Sequence, residues 1–189
     1  MSYSFENYWK NIYQKQSNFS YENQTIQSKA IISWHKKYIQ NKITKDFKYY
    51  KPRVLDIGCC TGYLTNFFCN FSSEVIGIDY VEGFIKKAKL KYSNPKFLIG
   101  NIYNLEKIDG RFDLVVCFGV LQNISDLKTV FKNIKLKLNS SDNSKIIFTT
   151  VNKNSVFNKN NFGWKITHPK EIKKFNLNFF SKEKIEKFS

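Results

Sequence analysis

The chain has 189 residues, a formal net charge of +16 and four cysteines. This length suits one α/β domain with a buried core and is short for two domains. No segment is apolar over the length that a transmembrane helix needs, and the first residues lack the pattern of a signal peptide. We therefore expect a soluble, cytoplasmic protein without a membrane span.

The positive charge comes almost entirely from lysine, since Arg53 and Arg111 are the only arginines. Arginine is the residue best suited to bidentate phosphate and base contacts, so its scarcity weakens a nucleic-acid-binding interpretation. Between residues 53 and 125, eight basic and seven acidic residues nearly cancel, and the excess lies in the two flanks. We interpret the flanks mainly as solvated surface and keep an acidic substrate as the less favoured alternative.

The four cysteines predict neither a disulfide framework nor a metal site. Cys59 and Cys60 are adjacent, and Cys69 and Cys117 complete no C-x-x-C pattern with them. We expect all four thiols to be reduced and no metal to be bound.

Two helices are predicted ahead of the first strand. The first carries an apolar face at helical spacing, formed by Phe5, Tyr8, Trp9, Ile12 and Tyr13. The second carries Ile26, Ala30, Trp34 and Tyr38 at successive spacings of four. Residues 1–51 are therefore expected to be an N-terminal helical segment.

The segment RVLDIGCCTGYLT, residues 53–65, predicts a buried strand, a turn bracketed by Gly58 and Gly62, and the start of a helix. The glycine spacing fits neither a dinucleotide fingerprint nor a P-loop, and the turn contains no lysine. Asp56 would repel a pyrophosphate, so the turn favours a ligand with positive charge. S-adenosylmethionine, a sulfonium with an α-amino group, has that charge.

Further strands are predicted along the chain, and each ends at a polar or glycine-containing segment. The apolar strand at residues 74–79 ends in Asp79, where a carboxylate is positioned to accept two ribose hydroxyls. An acid at this position is equally expected in a protein that binds a nicotinamide dinucleotide. Asp79 therefore predicts a nucleoside ligand but does not show which cofactor contains that nucleoside. Strands are also predicted in KFLIGN, FDLVVCF and KIIFTTVN, with helices between them.

Three of these segments together resemble the class I S-adenosylmethionine-dependent methyltransferases, of the small-molecule (methyltransferase type 11/12-like) kind. VLDIGCCTG is similar to the family's (V/L)LD(I/V)GCGTG motif, with Cys60 in place of the middle glycine. Gly100-Asn101-Ile102 aligns with G-D-(I/V/A), and FDLVVCFGVLQNI at residues 112–124 resembles the fourth strand and its loop. The sequence has no N/D-P-P-Y/F tetrapeptide, so the resemblance does not point to methylation of exocyclic amines on nucleic-acid bases.

The resemblance implies a set of residues that bind S-adenosylmethionine. Asp79 would hold the ribose, Tyr80 and Asn101-Ile102 would meet the adenine, and Phe118-Gly119 would line the methionine moiety. The full set is Asp56, Gly58, Cys60, Gly62, Asp79, Tyr80, Asn101, Ile102, Phe118 and Gly119. It also implies that the N-terminal helices cover the cofactor, although Trp9 and Tyr13 could instead pack on the sheet edge.

The expected fold is a doubly wound, mostly parallel Rossmann-like sheet with N-terminal lid helices. We divide the single domain into a lid at 1–51, a cofactor-binding core at 52–152, and a linker with a last helix at 153–189. The family's final antiparallel strand pair is not found in this sequence. Either the sheet is closed differently, or a partner or second copy covers its edge, or the chain is a shortened member.

The expected activity is methyl transfer from S-adenosylmethionine to an O, N or C nucleophile of a small molecule. An RNA-directed methyltransferase using the lysine-rich flanks and a non-catalytic relative that binds the cofactor stay open as alternatives. No catalytic residue is assigned. His35 is interpreted as a surface histidine, and His168 as a residue of a loop that could border the substrate pocket.

Overall fold

The computed structural model of the protein describes residues 5–15 and 29–149. The five helices are α1 (Phe5–Lys15), α2 (Lys29–Asp46), α3 (Tyr63–Phe68), α4 (Glu82–Lys91) and α5 (Leu127–Lys137). The five strands are β1 (Arg53–Ile57), β2 (Glu74–Asp79), β3 (Lys96–Ile99), β4 (Leu114–Cys117) and β5 (Lys145–Phe148). Ile26, His168, the predicted last helix and the question of a final hairpin lie outside the described residues.

All five strands form one parallel sheet in the order β3-β2-β1-β4-β5. The chain moves outward from β1 to one edge and then returns to build the other side, so the predicted doubly wound fold is confirmed. β1 lies at the centre, with Leu55 paired to Ile76 on one side and Val115 on the other. Every residue of β1 after Arg53 is buried, which fits the apolar Val54, Leu55 and Ile57 of a central parallel strand.

Side chains that alternate along the strands build one core on each face of the sheet. On one face, Val54, Leu114 and Val116 pack with residues of α2 and α3. On the other, Leu55, Val115 and Cys117 pack with the buried stripe of α5. α5 begins at a capped turn, because Asp126 accepts a hydrogen bond from the Thr129 amide at 3.0 Å.

The buried face of α2 differs from the predicted one. The buried residues of α2 are Ile32, His35, Ile39 and Ile43, and Phe47 is buried just after the helix. Of these, Ile39, Ile43 and Phe47 pack with residues of the sheet. Trp34 and Tyr38 of the predicted stripe are half-buried beside it, with their rings stacked at 5.0 Å. None of the helices within 5–15 and 29–149 combines the length and apolar character needed to cross a bilayer.

Candidate active site at the carboxyl edge of the sheet

The turn after β1 is anchored to the end of β2. The amides of Gly58 and Cys59 both donate to the Ile78 carbonyl, at 2.8 and 3.0 Å. Gly62 has a φ of +82° and is the N-cap residue just before α3, and a Cβ at this position would lie 2.5 Å from Cζ of Phe97. Only glycine satisfies both the backbone angle and the close packing, so the turn predicted from sequence is closely fixed.

Asp79 lies at the end of β2 and is 8% exposed. Its Oδ2 accepts the Cys60 amide at 3.0 Å, and its Oδ1 accepts the Val81 amide at 2.9 Å. Burial raises the pKa of Asp79 to about 6, although these backbone donors act in the opposite direction. Each carboxylate oxygen keeps acceptor capacity, so the group can still accept two hydroxyls.

Asp56 is a second buried carboxyl at the same edge, 4% exposed. The Thr65 hydroxyl donates to its Oδ2 at 2.6 Å. Burial raises the pKa of Asp56 to about 7, and the nearby Asp79 raises it further while Thr65 lowers it. No basic side chain forms an ion pair with either carboxyl within the described part of the chain. A bound cation would therefore supply the positive charge that no described side chain provides beside these two carboxyls.

Cys60 has a φ of +52°, and no other non-glycine residue in the described ranges has a positive φ. This backbone angle costs a residue with a Cβ about 1–2 kcal/mol. The turn thus keeps the conformation that a glycine would adopt without strain, although a cysteine occupies the position. Within the described residues, none of Cys59, Cys60, Cys69 and Cys117 forms a disulfide.

Helix α1 packs against the turn. Trp9, Ile12 and Tyr13 contact a small cluster that contains Cys60, Val81 and Phe84. The Tyr13 ring meets Phe84 edge to face at 5.5 Å, and it also occupies the space beside Gly83, where a Cβ would overlap it. α1 therefore lies over the Cys60 turn and the start of α4.

The end of β4 forms the opposite wall of the site. Phe118 is buried, and the Gly119 amide donates to the Thr149 hydroxyl at 2.9 Å. A cavity of about 10 Å³ is lined by Asp56, Gly58, Cys59, Leu64 and Phe118. This volume holds about one water molecule, so a nucleoside would have to lie beside the cavity, along the strand ends.

His35 is not a surface residue, contrary to the sequence interpretation. It is 4% exposed and stacks on Phe118 with a centroid distance of 4.4 Å and an interplanar angle of 22°. Burial lowers its pKa to about 4, so the imidazole is neutral at pH 7. Its Nδ1 has no hydrogen-bond partner among the described residues. The signal that could have revealed this position is its spacing from Ile32, Ile39 and Ile43, which share one helical face.

Asn101 and Ile102 follow β3, next to the end of β2. The Asn101 side-chain carbonyl accepts the Tyr103 amide at 3.0 Å, which leaves it one further lone pair. The Ile102 side chain is buried in the core on the α5 side of the sheet. The structure thus gathers the predicted residues of the β1, β2 and β4 ends around one edge, with Asn101 beside them. No group of His, Cys, Asp and Glu suited to a metal occurs in the part of the chain described.

Comparisons with known proteins agree with this architecture. A family model described as a methyltransferase domain matches residues 55–141. The chain is 36% identical over 110 residues to the putative methyltransferase 235L of Invertebrate iridescent virus 6, a match that covers 57% of this chain and 41% of that protein. It is 30% identical over 122 residues to a ubiquinone biosynthesis O-methyltransferase of Coxiella burnetii, covering 62% of this chain and 50% of the relative. The chain thus spans half or less of the length of these two relatives.

A solved structure has the same fold. Magnesium protoporphyrin IX methyltransferase from Synechocystis PCC 6803, crystallised with bound S-adenosylhomocysteine, superposes with a TM-score of 0.65 at 18% identity. The superposition covers 93% of this chain and 83% of that protein. Residues 55–141 therefore match a methyltransferase domain. The sheet that contains them has the Rossmann-like fold of solved methyltransferases.

Proposed function

We propose that the chain binds S-adenosylmethionine along the carboxyl edge of β1, β2 and β4 and transfers its methyl group to a small-molecule nucleophile. The observation that carries this proposal is the pair of buried carboxyls, Asp56 and Asp79, with no basic partner among the described residues. A pyrophosphate-bearing dinucleotide would meet unfavourable charge there, whereas a sulfonium with an α-ammonium group would be attracted.

The residues present fit this cofactor. Asp79 has acceptor capacity for two ribose hydroxyls, and Asp56 offers a carboxyl near the cationic end. Phe118 and the neutral His35 ring provide an apolar wall that adds no opposing positive charge. Tyr80, Asn101 and Ile102 remain proposed for the adenine, and Gly58, Gly62 and Gly119 for backbone contacts. Asp56, Cys60 and Asp79 complete the proposed site.

Bound S-adenosylmethionine would supply a methyl group on a sulfonium, from which the neutral thioether S-adenosylhomocysteine leaves readily during in-line displacement. The protein's part is then chiefly positioning. Holding an acceptor about 3–3.5 Å from the methyl carbon in the correct alignment can contribute roughly 7–11 kcal/mol. α1, which packs over Cys60 and Phe84, is proposed to belong to a lid within residues 1–51 that excludes water from this step. The core at 52–152 and the segment 153–189 complete the proposed division of the chain.

The cofactor assignment is tested by thermal unfolding with S-adenosylhomocysteine, S-adenosylmethionine and NAD. A ligand at 100 times its dissociation constant adds about 2.7 kcal/mol to the free energy of unfolding. We expect a shift with the two sulfur ligands and none with NAD. Asp79→Asn keeps an acceptor for the Cys60 or Val81 amide but loses the charge, and it should strongly reduce the shift. The exposed Asp109→Asn is the matched control.

Turnover is tested separately by the release of S-adenosylhomocysteine in the presence of phenols, amines and aromatic acids. Cofactor binding without turnover on any acceptor would identify a non-catalytic relative. Turnover on RNA that weakens steeply between low and physiological salt would favour an RNA substrate instead. No thermal shift with either sulfur ligand would refute the cofactor assignment.

A further inference from the structure

A groove of about 540 Å³ lies between α2 and α3, beside the turn after β1. Its volume is within the range of small-molecule binding sites, about 300–1,000 Å³. The lysines Lys36 and Lys37 lie on its α2 side, and the aromatic residues Tyr63 and Phe67 on its α3 side. It is far larger than the cavity at Asp56, so it offers room that the cofactor edge itself lacks.

The lining combines positive charge with aromatic surface. The Lys36 ammonium is 3.4 Å from the Tyr63 hydroxyl and 4.6 Å from the centroid of the Phe67 ring. These contacts hold the ammonium over the rings, where cation–π attraction contributes. No acidic side chain lines the groove among the described residues. The lysines therefore attract an anion, while the rings offer an apolar surface for its body.

The groove and the proposed methyl-transfer site are lined by residues that are neighbours in sequence on α2 and α3. Tyr63 is the first residue of α3 and directly follows Gly62 of the turn. On α2, Lys36 follows His35, whose ring stacks on Phe118 in the wall of the cofactor edge. The buried carboxyls thus lie on the cofactor side and the lysines on the groove side. This separation of charge suits a cationic cofactor next to an anionic acceptor.

We propose that the groove binds small aromatic carboxylates, and that the methyl acceptor belongs to this class. The carboxylate would meet Lys36 and Lys37, and the ring would pack on Tyr63 and Phe67. The acceptor assignment rests on the proposed methyltransferase function, whereas binding of the anion does not. The groove would then be the place where an acidic substrate binds, which is the less favoured interpretation of the lysine excess in the sequence.

The test titrates the full chain with 4-hydroxybenzoate, 2-naphthoate and the neutral 4-hydroxybenzamide, both without S-adenosylhomocysteine and in its presence, and follows binding by NMR. We expect both acids to bind at least tenfold more tightly than the amide. The double variant Lys36→Gln/Lys37→Gln should lose that preference. Lys89→Gln/Lys132→Gln removes the same charge at exposed positions outside the groove and should stay within twofold of the wild type. Lys37→Gln alone, at an exposed position, serves if the double variant fails to fold.

The outcomes separate the two proposals. If the sulfur ligands shift the melting temperature but neither acid binds, or the acids bind the groove variant equally well, the groove proposal is overturned and the cofactor proposal stands. If the acids bind with the expected lysine dependence and the sulfur ligands do not, the groove site stands and the methyltransferase proposal fails. If the protein methylates neutral phenols or amines but no aromatic acid, the acceptor assignment is overturned.

Discussion

Cofactor affinity should depend on pH through Asp56. In the free protein burial raises the pKa of Asp56 to about 7 and that of Asp79 to about 6. A cation bound beside Asp56 favours the ionised carboxylate, so binding releases a proton below pH 7. Affinity for S-adenosylhomocysteine, which carries an α-ammonium group, should therefore rise as pH increases.

The size of the effect follows from the ionised fractions. If only ionised Asp56 binds the cation, a pKa of about 7 gives about an eightfold gain in affinity between pH 6.0 and 7.5. Asp79, at about 6, adds roughly twofold over the same interval. Asp56→Asn can still accept the Thr65 hydroxyl but does not titrate, so its affinity should change only about twofold.

Isothermal titration calorimetry at four pH values, in buffers of different ionisation enthalpy, measures both the affinity and the protons released. Asp109→Asn is the control, because it removes an exposed carboxyl and should keep the wild-type slope. The reasoning is refuted if wild-type affinity is flat within twofold from pH 6.0 to 7.5. It is refuted equally if Asp56→Asn keeps the full slope.

The same pKa values predict how the free protein responds to pH. Because the folded state binds more protons than the unfolded state between about pH 4 and 7, these carboxyls reduce stability as pH rises. For Asp56 the shift from 3.8 to about 7 corresponds to a cost on the order of 4 kcal/mol at alkaline pH. Asp56→Asn should therefore be more stable than the wild type at pH 8 and similar to it at pH 4, by urea unfolding.

Three further predictions concern the surroundings of the turn. Cys60→Gly relieves the strain of a positive φ, but it loses a buried thiol and raises the chain entropy of the unfolded state. Its free energy of unfolding should therefore stay within about 1 kcal/mol of the wild type, and its cofactor affinity should be kept or improved. Lost affinity would show that the thiol itself contributes to binding. Gly83→Ala places a methyl group against the Tyr13 ring, so hydrogen exchange should accelerate in residues 5–15 and not in the strands. The double variant Gly83→Ala/Tyr13→Ala should tolerate the methyl group, because the ring that it meets is gone. Unchanged exchange in Gly83→Ala would contradict the packing of α1. Folded His35 stays neutral down to about pH 4, whereas in the unfolded chain this histidine binds a proton near pH 6.5. The free energy of unfolding therefore falls as pH drops through that interval, by at most about 3 kcal/mol. His35→Phe keeps the ring contact with Phe118 and should remove this loss in unfolding curves recorded at acid pH, whereas an unchanged loss would show that another group titrates.

The fold was predictable because its signals are local. β1, β2 and β4 read as short apolar runs, and the turn at Gly58 and Gly62 carries a spacing that limits what can bind there. A parallel sheet brings the ends of such strands to one edge, so residues distant in sequence could be assigned to one site. The positions of Asp56 and Asp79 at that edge follow directly from this rule.

His35 and the groove could not be predicted in the same way. The spacing of four between Trp34 and Tyr38 suggested a face of α2 beside the buried one, because large aromatic side chains dominated the pattern. The face that packs on the sheet carries smaller apolar residues and includes one histidine, which a scale of hydrophobicity disfavours. Lys36 and Tyr63 are 27 positions apart, and only the packing of α2 on α3 brings them together.

The closed packing of the turn bears on how the site would function. The cavity beside Asp56 has a volume of about 10 Å³ and α1 packs over Cys60, so we expect a nucleoside bound along the strand ends to displace contacts such as Tyr13–Phe84. Two buried carboxyls without basic partners destabilise the free protein, and a bound cation removes that cost. Cofactor binding would therefore gain free energy by pairing the buried Asp56 and Asp79 with a positive charge. It would lose free energy by breaking the contacts of α1. A cationic ligand can meet both requirements at once, whereas a neutral nucleoside would only displace the helix.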